Sequence, residues 1–128
     1  MMDCDDNFDT YVTESGTMIL SPNYPKLYEN NKICQITINA DERHNVTIEF
    51  LEFDVAESSS TCSDDWVEVH DGDIGGNAQR FCGATIPDPI TSSGSSMTLV
   101  FKSNSNNRHS GFMIRVDIGE NYLRINLV

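Results

Sequence analysis

The sequence predicts an all-β fold, a sandwich or barrel of short strands. Three observations carry that prediction. Apolar and polar residues alternate in several short runs, turn signals separate the runs, and no segment sustains a period of 3.6. The 128 residues suit one domain around one core.

The runs follow in order. Residues 1 to 16 are polar apart from Phe8, Tyr11 and Val12. Ile19, between Met18 and Leu20, predicts a short edge strand. Ser21-Pro22-Asn23-Tyr24-Pro25 excludes regular structure, because each proline fixes its own φ and pushes its predecessor away from helix. Cys34, Ile36 and Ile38 alternate with Gln35, Thr37 and Asn39, the pattern of a half-buried strand. Val46, Ile48 and Phe50 alternate after a polar turn, and the parity then shifts to Leu51, Phe53 and Val55. A β-bulge or a strand end near Phe50-Leu51 accounts for the shift. Val67 and Val69 alternate with Glu68 and His70 until Asp71-Gly72 signals a turn. A glycine-rich loop to Gln79 precedes a short strand at Phe81-Cys82. Pro87-Asp88-Pro89 and residues 92–96 are connections. Met97, Leu99 and Phe101 form the next strand, and an asparagine-rich loop spans 103–110. Phe112, Ile114, Val116 and Ile118 form the last strand of a domain spanning 1–118. Leu123, Ile125 and Leu127 alternate again, so 119–128 is an extension, either a further edge strand or a lead into a neighbouring domain.

The formal charge is −12, spread along the chain. That sign excludes nucleic acid as the natural partner and fits a divalent cation or a basic protein surface, with plain solubility as the bland alternative. No run of about 18 apolar residues is present, so no membrane insertion is expected. Four cysteines stand at 4, 34, 62 and 82 without a C-x-x-C pair. In a short, loop-rich chain they point to two disulfides and an oxidising compartment, and spacing alone leaves three connectivities open. Asn45-Val46-Thr47 is an N-glycosylation sequon. The segment Met1-Met2-Asp3-Cys4-Asp5-Asp6 lacks the basic and apolar regions of a signal peptide. Either a signal has been removed or the chain is a piece of a longer one.

Catalytic patterns are missing from the sequence. Neither G-x-S-x-G nor H-E-x-x-H occurs. His70-Asp71 has no serine in a nucleophile-elbow context, and His44, His70 and His109 read as surface histidines. Asp71-Gly72-Asp73 starts like an EF-hand loop but reaches Cys82 where that loop needs glutamate. No enzyme is expected.

The acidic stretch from Glu57 to Asp73 raises the central question. Period-two geometry puts Asp65 on the side of Val67 and Val69. An inward, ionised carboxylate needs a cation or several donors, because burying it unpaired is costly. Trp66 faces the opposite way and is expected to pack against a neighbouring strand, with a partner contact as the minority reading.

An ordered set of residues then resembles a family. Ser15-Gly16, Ile19-Leu20-Ser21-Pro22-Asn23-Tyr24-Pro25, Tyr28, Asn31 and Cys34 begin it. Ile48-Glu49-Phe50, Phe53-Asp54, Glu57, Cys62, Asp65, Val67-Glu68-Val69 and Asp71-Gly72 continue it. Cys82-Gly83, Pro87, Ile90-Thr91-Ser92, Val100-Phe101-Lys102-Ser103 and Gly111-Phe112 complete it. The chain resembles a CUB domain, a module found in complement proteases and other secreted proteins, over about Cys4 to Ile118. The resemblance implies a jelly-roll-like sandwich of two antiparallel sheets and disulfides Cys4–Cys34 and Cys62–Cys82. It also implies a secreted or ectodomain setting.

Many members of that family hold calcium at one end of the sandwich. The resemblance assigns the carboxylates to Glu57 and Asp65, which straddle the third cysteine, and a bracing role on the glutamate to Tyr28. The family's third acid falls on Asn104, with Asn106 and Asn107 as the next ligands. Taken singly these asparagines are turn residues. Calcium accepts six to eight oxygens, amide carbonyls included, and its affinity follows ligand charge. With asparagine replacing the third acid, a weaker site is expected. In calcium-binding members the same carboxylates accept a lysine or arginine from a partner protein. The resemblance therefore implies a non-catalytic protein-binding module. Its alternatives are an accessory domain of a secreted protease and a glycan- or matrix-binding module.

Overall fold

The computed structural model describes residues 2–3, 9–56, 61–73, 75, 77–104 and 109–120. Among these residues there is no helix. The strands are β1 (Met2–Asp3), β2 (Asp9–Val12), β3 (Met18–Leu20), β4 (Ile33–Asn39) and β5 (His44–Asp54). They continue as β6 (Trp66–Asp71), β7 (Ala78–Phe81), β8 (Ile90–Thr91), β9 (Ser96–Lys102) and β10 (Gly111–Glu120). Two sheets stack as a sandwich, one in the order β1-β3-β10-β5-β8 and the other β2-β4-β9-β6-β7. The framework is antiparallel, as the sequence predicts; β1 on β3 and β2 on β4 are parallel additions at one edge of each sheet. β3 therefore lies one strand in from the edge.

The alternating runs form the core. Ile36 and Ile38 of β4, Val67 and Val69 of β6, and Met97, Leu99 and Phe101 of β9 line one inner face. Val46, Ile48, Phe50 and Phe53 of β5, with Phe112, Ile114 and Val116 of β10, line the other. The parity shift in β5 is a bulge. Ile114 pairs with Phe50 and Met113 with Glu52, so Leu51 is the extra residue. Phe53 and Val55 then return to the core on odd positions.

Two further expectations are corrected. The short strand runs Ala78–Phe81, so Ala78 and Gln79 leave the expected loop and Cys82 lies past the strand end. His70 is buried, not a surface histidine. It lies on the outer face of its sheet, paired with Thr98 of β9 and Ala78 of β7. Its Nε2 is 2.7 Å from Glu68 Oε1.

Candidate functional site

The strands β6 and β9 pair up to Trp66 and Lys102, and the chain leaves the sheet there. Asp65 is the residue before that last pair. It shares the inward side of Val67 and Val69, and it is fully buried. Its two oxygens are each held. Tyr28 donates its hydroxyl to Oδ2 at 2.5 Å, and the Asn104 N–H donates to Oδ1 at 2.8 Å.

Each of those donors is itself fixed. The Tyr28 ring is fully buried and packs edge-on against Phe101 at 5.1 Å between centroids. Its N–H bonds the His109 carbonyl at 2.9 Å, and its hydroxyl oxygen accepts the Ala56 N–H at 3.0 Å. Burial first, and then the hydrogen bond to Asp65, push its phenol far above the usual range, so it remains a donor. The Asn104 carbonyl accepts the Asn31 N–H at 2.9 Å. Ser103 stitches the same two loops: its N–H bonds the Lys32 carbonyl, and its hydroxyl accepts the Lys32 N–H and donates to the Glu29 carbonyl.

Two cross-links set the approach to the acidic stretch. Val55 and Gly83 exchange backbone hydrogen bonds of 2.9 and 2.7 Å. Cys62 and Cys82 are joined by a disulfide, the expected second bridge. Cys34 is also disulfide-bonded, and its expected partner Cys4 lies outside the described residues. Glu57, Asn106 and Asn107 lie outside them too. Ala56, next to Glu57 in sequence, is tied to Asp65 through the Tyr28 hydroxyl. The resemblance had assigned Tyr28 to the glutamate; its described carboxylate partner is Asp65.

The chemistry of the site follows from this inventory. Among the described residues the ion pairs engage Glu29, Glu49, Asp54, Glu68 and Asp117, and none engages Asp65. A carboxylate offers about four lone-pair sites, and two are used. The remaining ones can accept a cation. No group of three or more His, Cys, Asp or Glu able to hold a metal occurs among the described residues.

Other sequence-predicted positions lie elsewhere. Asn45 sits in β5 and its Nδ2 donates to the Ser92 carbonyl at 2.9 Å. Trp66 packs against both neighbouring strands, under Arg80 of β7 at 3.8 Å and Lys102 of β9 at 4.8 Å. Burial of Glu68 alone would push its carboxyl up, but hydrogen bonds from Arg80 and His70 outweigh it and hold the group below its ordinary value. His109 bonds Asp54 at 2.8 Å. The site roles of His109 and Ala56 escaped the sequence reading, since they run through a backbone carbonyl and a backbone N–H that carry no residue-type signal; Ser103 stood there only as part of the family set, without its hydroxyl's bonds to Lys32 and Glu29.

The comparisons with known proteins agree with this architecture. The family model for the CUB domain matches residues 4–116. The human tumor necrosis factor-inducible gene 6 protein is 36% identical over 105 residues, covering 80% of this chain and 38% of that protein. The extracellular region of zebrafish Gpr126/Adgrg6 superposes with a TM-score of 0.79 at 30% identity, over 88% of this chain and 15% of that one. The MASP-1 CUB2 domain bound to Ca2+ superposes with a TM-score of 0.75 at 26% identity, over 84% of this chain and 96% of that one. The chain thus spans well under half of the curated relative, and its own match is to a module within it. With its two-sheet sandwich, its Cys62–Cys82 bridge and a family match running from residue 4 to 116, the chain belongs to the CUB domain family.

Proposed function

We propose that this chain is a non-catalytic, extracellular protein-binding module. Its acidic loop end is organised by calcium and accepts a lysine or arginine side chain from a partner protein. One observation carries the reading. Asp65 is a fully buried carboxylate, held by a tyrosine hydroxyl and a backbone N–H, with lone pairs to spare and no described cation. Burial of that kind is costly unless a cation or further donors compensate it.

Glu57 and the side chains of Asn104, Asn106 and Asn107 are the oxygens that would complete the set around Ca2+. Calcium supplies the charge that pins the loops together. Two carboxylates balance its charge and leave the site neutral. Carboxylate lone pairs that face outward can then receive an ammonium or guanidinium group by a charge-assisted hydrogen bond. The oxidised cysteines support an extracellular setting, as does the likeness to an extracellular region. The similar MASP-1 domain is one bound to Ca2+, which supports the choice of metal.

Isothermal calorimetry with calcium tests the reading. The wild type is expected to show one saturable site with Kd of about 10⁻⁴–10⁻³ M, the range of extracellular modules. Asp65→Asn and Glu57→Gln are expected to remove the heat while the protein keeps its β-sheet circular dichroism. Wild-type protein that takes up no calcium at several millimolar would overturn the reading.

A further inference from the structure

The proposed acid site and a cationic platform meet at one strand end. Asp65 points inward, and period two turns the next residue, Trp66, to the outer face of the sheet. The register then places Ile33, Lys102 and Trp66 in one outer row, across β4, β9 and β6. Val100, Glu68 and Arg80 occupy the next row. The Arg80 guanidinium lies 3.8 Å from the Trp66 ring centroid and the Lys102 ammonium 4.8 Å. Ile33 is 45% exposed beside them.

Charge sets this patch against the overall acidity of the chain. The whole molecule carries 20 acids against 8 lysines and arginines. Glu68 neutralises Arg80 through Oε2 at 2.9 Å. The Lys102 ammonium forms no ion pair among the described residues and rests on the indole. Arg80 and Lys102 against Glu68 alone leave one positive charge on the aromatic shelf. Asp65, the residue before Trp66, faces the other side of the sheet at the same strand end.

We propose that this outer face, centred on Lys102 and Trp66 with Arg80 beside them, takes an acidic side chain of the same partner segment whose basic side chain enters the Asp65 site. The inference rests on the function proposed above and adds the second half of the epitope. A basic residue with an acid one or two residues along meets a negative mouth and a positive shelf in that order. A partner segment of uniform positive charge would be repelled by the shelf, so the pair selects for the mixed sequence.

Trp66 is the single tryptophan, so its fluorescence reports on the shelf directly. The probe is a blocked peptide, Gly-Lys-Gly-Glu-Glu-Gly, titrated in excess calcium. A saturable change in Trp66 emission is expected. Replacing both peptide glutamates by glutamine is expected to weaken binding about twofold to fivefold, the range of exposed charge pairs. Lys102→Gln is expected to weaken the parent peptide equally and to bind the two peptides alike. No change in emission overturns the proposal, as does equal discrimination by wild type and Lys102→Gln. A Lys102-dependent response to a heparin fragment but not to the peptide overturns it in favour of a sulfated glycan. A peptide with glutamine in place of lysine separates the two readings. If the glutamate dependence survives there undiminished, the shelf stands and the acid site falls. If only the lysine matters, the acid site stands and the shelf falls.

Discussion

Tyr28 does three jobs with one side chain, and its hydroxyl carries two of them. It fills the core against Phe101, donates to Asp65 and accepts from Ala56. Tyr28→Phe keeps the ring and removes only the hydroxyl. That leaves a buried carboxylate oxygen and a buried N–H without their partner, at a cost of about 2–3 kcal/mol. The alkaline limb of stability isolates the same group. Burial and the Asp65 hydrogen bond raise the phenol above its ordinary value of 10.0. A raised pKa favours the protonated form in the fold, so its contribution is complete below pH 10 and is lost as pH climbs past it. Wild-type stability, followed by denaturant midpoint, is expected to fall above that point at up to about 1.4 kcal/mol per pH unit. Tyr28→Phe is expected to start lower and fall more gently. Parallel curves for the two proteins would show that the tyrosine does not carry this load. Tyr24, bonded to Glu52 at the surface, shifts in the same direction and is common to both proteins.

At the scale of the element, the start of β10 shows how the fold holds the loops of the site. Gly111 has φ of +90°, and a Cβ built there would run into the Ser21 side chain. Ser21 needs that room. Its hydroxyl accepts the Phe112 N–H at 3.0 Å, and its own N–H bonds the Phe112 carbonyl at 3.1 Å. This joint anchors the 22–31 segment that delivers Tyr28. Gly111→Ala therefore combines a strained backbone with a steric clash, costing about 2–5 kcal/mol. A loss of unfolding free energy below about 0.5 kcal/mol in urea would refute the argument. Legibility in the sequence divides along the same lines. The long strands were readable because period two is a local signal: β4, β9 and β10 show it without interruption, and the Leu51 bulge shows as a change of parity. β1, β2 and β8 were not, because two to four residues are too few for a period and their pairing is set from outside. The inward turn of Asp65 was readable from Val67 and Val69. Its partner was not readable from spacing, because Tyr28 stands 37 positions away and only the family likeness singled it out. His70 misled because burial on an outer face depends on cross-strand neighbours that no local pattern reveals.

For the whole molecule, the net charge of −12 and the proposed metal site make competing claims on the same observation. Any added salt screens the mutual repulsion of the acids and raises stability a little. A bound cation does something different: it stabilises by mass action in proportion to its affinity. At about 10 mM calcium and a Kd of about 0.1 mM, the gain is about 2.7 kcal/mol. For a chain of 128 residues that corresponds to a rise of about 10 °C in Tm. Magnesium at the same concentration provides the control. It has the same charge and screens the same acids, but it demands six short, regular contacts and gives up its water reluctantly. A donor set expected from the Asp65 and Glu57 carboxylates and the uncharged amides of Asn104, Asn106 and Asn107 suits the larger ion. Calcium is therefore expected to raise the melting temperature by several degrees more than magnesium. Asp65→Asn is expected to erase the difference between the metals while keeping the small rise that both produce. Equal shifts from the two ions in wild-type protein would mean that the acids act only as a diffuse field, and the loop end would then need another explanation for its buried carboxylate.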